Sequence, residues 1–509
     1  MTNSKISSIL IVGGGSAGWL TAGIIAARHG QSVKISLLES STLPTIGVGE
    51  GTWPTMKTTL QKMGISETEF FRYCDVSFKQ GAKFCQWVTG KKDDFYYHPL
   101  TLPKDFLDIN LAPFWLENPS DSFSNSVSFQ EAICEKNLAP KTLLMPEYAA
   151  AANYAYHLDA GKLTEFLSQH CQQKLNVQHI IGTVDEVLVS EQGDINSVKT
   201  QDGQSYQADL FIDCTGMSSL LLGKALNTEF VDKSDVLFID RAIATQVPYE
   251  SEDSPILPYT LSTAQSAGWI WDIGLTSRRG TGHVYSSRHM SDDQALKQFS
   301  DYLGKPLKET TVKEIKIPCG HRKEFWKHNC VAVGMAAGFL EPLEASALVL
   351  VELSANYIRD QLPENKAIMP IIAKRFNQLN THRWNSIVDF LKLHYVLSKR
   401  TDSQFWCDNR DPQTIPDSLQ ELLQLWQYQS PYMHDFLYKE EVFPAASYQY
   451  VLYGMGFDTQ AALAMSSQQR QRYAQSINEN KQIKQKALNS LPDNRTLLNK
   501  IKTFGMKAI

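Results

Sequence analysis

Gly13, Gly15 and Gly18 stand in G-x-G-x-x-G spacing directly after the apolar run SILIV at residues 8–12 and ahead of a stretch with helical spacing. Few folds accept that arrangement. The first glycine permits a tight turn, the second lets backbone amides approach a pyrophosphate, and the third allows close packing of helix on strand. A second apolar run, VKISLLE, ends at Glu39, twenty-one residues past Gly18. An acidic side chain there is placed for ribose hydroxyls, the alternative being a solvated strand end. Strand, glycine turn, helix and strand make a βαβ unit, so the chain is expected to be α/β with a dinucleotide-binding sheet.

The same glycines decide how the apolar stretch 9–27 is read. It follows Lys5 and resembles a secretory leader, but Gly13, Gly14, Gly15 and Gly18 divide it into strand, turn and helix. Charged residues such as Glu341 and Glu344 interrupt the other apolar candidates, so no membrane span is expected. The eight cysteines lack C-x-x-C or zinc-finger spacing and suit a reduced, cytoplasmic protein without a metal site. A net charge of −5 offers nucleic acid no basic footprint.

Two later glycine turns favour FAD over NAD. Gly216 closes DCTG after the apolar run DLFI, and Gly334 follows the run CVAV and is expected to open a helix. Many flavin hydroxylases carry Asp after the latter glycine; here it is Met335. No second fingerprint for NAD(P)H is present, which points to a flavin that arrives already reduced. The segment from 151, NYAYHLDAGKLTEFLSQHC, has helical spacing. Asp202-Gly203 marks a hairpin, 228–320 is rich in β-branched and aromatic residues, and most of the chain beyond 345 has helical patterning.

Several motifs then occur in one order: GGGSAGW at 13–19, PTIGVGEGTWPT at 44–55, SFKQGAKF at 77–84, AYHLDA at 155–160, DCTG at 213–216 and GFLEPLEASA at 338–347. In these the chain resembles the flavin-dependent tryptophan halogenases over nearly its full length. The resemblance implies a Rossmann-like FAD-binding domain of the flavin monooxygenase type, with an inserted β-sheet substrate layer and a mostly helical C-terminal region. Residues 1–345 would form the FAD-binding part, from segments near 1–60, 150–225 and 325–345. The segments near 61–149 and 226–324 would be inserted for substrate, and 346–509 would be the helical substrate side.

The resemblance also implies roles. Lys79 of the S-F-K motif would be the catalytic lysine, handling hypohalous acid; spacing alone would leave Lys83 an equal candidate. Glu344 of P-L-E would stabilise the cationic ring and take its proton, where a helix-terminal acid is the plainer reading. Ser346 and Ala347 would inherit the halide contact, although the family's S-T-G after this glutamate is here Ala345-Ser346-Ala347. Gly13, Gly15, Ser16, Ala17, Gly18, Glu39, Gly216, Gly334 and Leu340 would contact FAD. His98 and Leu100 would meet the substrate, a lone histidine being more often structural.

Trp269 and Trp271, in W-x-W-x-I-G where the family has a final proline, would screen the flavin; a core tryptophan pair is the alternative. Chloride or bromide, a small aromatic substrate and a separate NAD(P)H-dependent flavin reductase complete the expectation, with homodimerisation left open. Its rivals are an aromatic hydroxylase and a non-catalytic flavin-binding regulator. The tyrosines of SYQYVLYGMGF at 447–457 carry no assigned role.

Overall fold

The computed structural model describes residues 5–41, 49–119, 121–307, 312–436, 438, 441–460 and 465–508. Residues 44–48 of the PTIGVGEGTWPT motif lie outside the described residues. Apolar runs that are buried on both faces build a six-stranded sheet. Its order is Trp326–Lys327, Cys330–Ala332, Leu210–Asp213, Ser8–Val12, Lys34–Glu39 and Gln178–Ile181, parallel throughout except for the first strand. Helix Ser16–His29 crosses over between its first two strands in sequence and packs on helices Ala160–Lys174 and Ser346–Asp360.

A seven-stranded sheet forms a second layer, running Lys313–Lys316, Arg241–Pro248, Arg278–Tyr285, Gly268–Gly274, Thr260–Gln265, Gly81–Cys85 and Phe95–Pro99. The expected strand-rich stretch supplies five of these strands, and 81–99 adds the last two. The seven-stranded sheet therefore draws on chain from both 61–149 and 226–324. Asp202-Gly203 does turn a hairpin, with Val198 opposite Tyr206. Beyond 345 the chain is helical, with long helices at Met369–Val396 and Ser467–Ser490. Among the described residues no helix is long and apolar enough to cross a membrane.

Two expectations need correction. The segment from 151 is not helical throughout. Ala155–Asp159 is a strand between Gly49–Gly51 and Ser77–Lys79, and the helix starts at Ala160. In AYHLD alternate side chains face opposite ways, and Asp159 caps the following helix by accepting from the Gly161 and Lys162 amides. Likewise the Gly334 turn opens only one 3-10 turn, Gly334–Ala336; the α-helix begins at Ser346.

The small three-stranded sheet is anchored from behind. Fully buried Glu67 accepts from the hydroxyls of Tyr154 and Tyr156 and from the Tyr148 amide, and pairs with buried Lys141 at 3.4 Å. Removing one partner of a buried pair strands the other charge. Glu67→Gln should destabilise the fold by about 3 kcal/mol, the low end for such pairs because burial already draws the Lys141 ammonium down toward neutrality. Urea unfolding measures it.

Candidate active site

The three glycine turns leave adjacent strands at the same edge of the parallel sheet, after Val12, Asp213 and Ala332. Gly13 has φ +113°, and a Cβ there would stand 2.2 Å from the Cys214 carbonyl oxygen; Gly216 and Gly334 are also left-handed. A Cβ on Gly18 would meet the Gly13 oxygen at 1.9 Å, and one on Gly334 would meet Ala17 at 2.7 Å. Only glycine permits this packing. Gly15, by contrast, faces open space, and helix Ser16–His29 begins there without a side-chain cap. An uncapped helix start beneath an open glycine fits a pyrophosphate.

Glu39 ends the neighbouring strand. Its side chain lies against Gly14 and is paired with His179 Nε2 at 2.6 Å, so it is held in place rather than loose in solvent. Ser16 hydrogen-bonds Thr164, and Leu340 is buried farther along the chain. These residues fit the FAD that the sequence implies.

A second site lies along the chain segment that leaves the Gly334 turn. It is a cleft walled by Lys79, His98, Leu100, Glu344, Ser447 and Tyr450, with Trp53 at one side. Lys79 ends strand Ser77–Lys79, is 4% exposed, and donates to the Thr52 carbonyl at 3.2 Å. Burial pulls its ammonium down to about 8, against the opposing charge of Glu344. Gly51, on the other flank of the same small sheet, leaves room between Lys79 and Ala345; a Cβ there would touch both. Lys83 is outside the cleft, pairing with Glu135 and lying over the Phe95 ring.

Glu344 is not a helix-terminal acid. It sits at φ 64°, followed by Ala345 at φ 54°, two consecutive non-glycine residues in the left-handed region before the helix at Ser346. Such conformations cost roughly 1–2 kcal/mol each and persist only where neighbours enforce them. Here the Trp53 indole donates to the Glu344 carbonyl at 3.0 Å, and the Ala345 amide donates to Pro342 at 2.9 Å.

The side chain is 5% exposed. Its Oε1 meets His98 Nδ1 at 2.8 Å and His394 Nε2 at 3.4 Å. Burial pushes the carboxyl up, but the His98 hydrogen bond and the nearby His394 ring outweigh it and hold the group well below the usual carboxylate range. His98 passes on to Ser447 Oγ at 3.0 Å, so it ties the cleft wall to Glu344. Ser346 is buried and Ala347 is exposed at the start of the following helix.

Trp269 and Trp271 do share a face, with ring centres 6.5 Å apart, and both are buried. They do not line the cleft. Trp271 lies over Gly282, where a Cβ would meet its ring at 2.1 Å. Trp269 donates to Glu341 at 2.9 Å, three residues before Glu344. One segment thus runs from the glycine turn at 334, past the tryptophan pair at 341, to the cleft at 344.

Sequence reading missed His394, Tyr96, Trp53 and Ser447. Trp53 lay inside a quoted motif and Tyr96 two residues from His98, but nothing distinguished His394 within a long helix. Of the three unassigned tyrosines only Tyr450 reaches the cleft; Tyr448 is packed among Phe390, Trp426 and Phe436.

Residues 8–471 match the tryptophan halogenase family. The chain is 34% identical over 442 residues to the tryptophan 6-halogenase ThaL of Streptomyces albogriseolus, covering 83% of this chain and 82% of that protein. It is 33% identical to the tryptophan 7-halogenase RebH of Lentzea aerocolonigenes, with the same coverage. The crystal structure of a tryptophan halogenase from Shewanella frigidimarina superposes over 100% of both chains with a TM-score of 0.97 and 45% identity.

Proposed function

Because this chain belongs to the tryptophan halogenase family, and so is a flavin-dependent halogenase, we propose that it halogenates tryptophan or another indole-like ring at the Lys79–Glu344 cleft. Bound FAD, supplied reduced by a separate flavin reductase, provides the electrons with which oxygen turns halide into an electrophilic halogen. The residues around the three glycine turns, from Gly13 to Gly18 with Glu39, Gly216, Gly334 and Leu340, hold that cofactor. Ser346 and the Ala347 amide are assigned to the halide, and Trp269 and Trp271 to separating the flavin from the organic substrate.

In the cleft, Lys79 engages hypohalous acid through its ammonium or carries the halogen as a haloamine. His98 and Leu100 bound the ring. Glu344 stabilises the cationic intermediate and accepts its proton. The supporting observation is the convergence of Lys79 and Glu344, from segments far apart in sequence, on one cleft. Residues 1–345 are taken as the FAD-binding part and 346–509 as the helical substrate side, in the cytoplasm. A second copy of the chain is the candidate partner, read by light scattering.

The test is mass spectrometry of indole and of tryptophan after incubation with the protein, a flavin reductase, NADH, FAD, oxygen and bromide. The expected product carries bromine. An added oxygen would instead indicate a hydroxylase, and no product would leave the flavin-binding regulator. Without the reductase the chain should consume no NADH, since it has one dinucleotide fingerprint.

A further inference from the structure

Glu344 is gripped from two elements. From strand Phe95–Pro99, His98 reaches its Oε1; from the last turns of helix Met369–Val396, His394 approaches the same oxygen. Neither contact involves Oε2. Behind His394, the hydroxyl of Tyr96 lies 2.6 Å from Nδ1, and Tyr96 shares a strand face with His98. His394 is fully buried and stacks near Phe84 and Phe390. We propose that His394, oriented by Tyr96, is a positioning residue that fixes Glu344 as an anion with one oxygen left for the substrate.

The tautomer carries the argument. The Tyr96 hydroxyl and His394 Nδ1 lie 2.6 Å apart, and we assign the hydroxyl as donor and Nδ1 as acceptor. That tautomer puts the His394 hydrogen on Nε2, which approaches Glu344 Oε1 to 3.4 Å without forming a full hydrogen bond. Burial also draws the imidazole down, so it meets the carboxylate as a neutral N–H dipole. The charged and titratable groups around Glu344 are Lys79 from Ser77–Lys79, His98 and Tyr96 from Phe95–Pro99, and His394. Tyr395, the next residue, donates to Glu341 at 2.6 Å, so adjacent residues of one helix hold both glutamates of the strained 341–345 segment.

This rests on the reading of Glu344 as the proton acceptor, but it has a readout that needs no turnover. Infrared titration of the carboxyl, wild type minus Glu344→Gln, should place its protonation about one pH unit higher in His394→Phe, because burial is then opposed only by His98 and Lys79. With indole, kcat should fall about fivefold, the scale of losing one modest polar contact, with KM little changed. His394→Gln, which restores an N–H, should recover most of both. If His394→Phe does not fold, Tyr96→Phe decides by a smaller shift in the same direction. An unmoved carboxyl titration in the folded variant overturns the inference; a moved one in a wild type that makes no bromoindole overturns the functional reading alone.

Discussion

Lys79→Ala abolishes halogenation while reduced FAD is still bound and reoxidised, because the lysine lies in the cleft and not at the glycine turns. The expected loss is at least about a thousandfold, the scale on which removing a group central to catalysis acts. Truncation also leaves the buried Thr52 carbonyl without its donor, a cost of about 1–3 kcal/mol. Lys79→Met keeps the volume but, like alanine, supplies no donor, so urea unfolding of both variants separates that cost from the chemistry. Hypohalous acid that escapes into solution could modify a reactive indole, so the assay needs a scavenger and a check of ring position. Wild-type rate and position in the alanine variant, scavenger present, would falsify the lysine's role.

The pH dependence has a definite sign. An ammonium drawn down to about 8 is charged below that pH and neutral above it. If the ammonium engages hypohalous acid, halogenation is full below about pH 8 and declines above it, with flavin reoxidation measured in parallel. A haloamine route needs the free amine and reverses the slope. Any residual halogenation by Lys79→Met should lack the limb near pH 8, whichever its direction.

The second large effect is at Glu344. Glu344→Gln keeps the shape and the contact from His98 but removes the charge beside the cationic ring. A preorganised group of this kind is worth about 2–4 kcal/mol, so halogenation should slow by roughly thirty- to a thousandfold without vanishing. The glutamine does not relieve the left-handed backbone at 344, so stability should move far less than rate. A variant within twofold of wild type, measured with saturating reduced flavin, would show that the proton leaves by another route.

The cofactor half of the protein was legible in the sequence because its chemistry is backbone chemistry. Gly13 and Gly18 are forced by approaches too close for a Cβ, Gly15 marks the open turn at the helix start, and Glu39 ends a strand whose apolar pattern declares it. Such constraints act over a few neighbouring residues and are written in residue type. The strand Ala155–Asp159 was misread because five residues ahead of a helix offer little period to separate the two states. Lys79 and Glu344 were named through resemblance, since their own surroundings left Lys83 an equal candidate and a helix-terminal acid as the alternative for Glu344.

Tertiary structure alone decided which side chains act on them. His98, His394, Tyr96, Trp53 and Thr52 come from three separate stretches of chain. They meet around Glu344 and Lys79 only when the small sheet, the large sheet and the long helix pack together. The ionisation of both groups follows from that meeting. Burial draws Lys79 down toward neutrality, while two imidazoles keep Glu344 charged in the same cleft. A sequence determines which residues can ionise; the dielectric and the donors around each are set by segments hundreds of residues away.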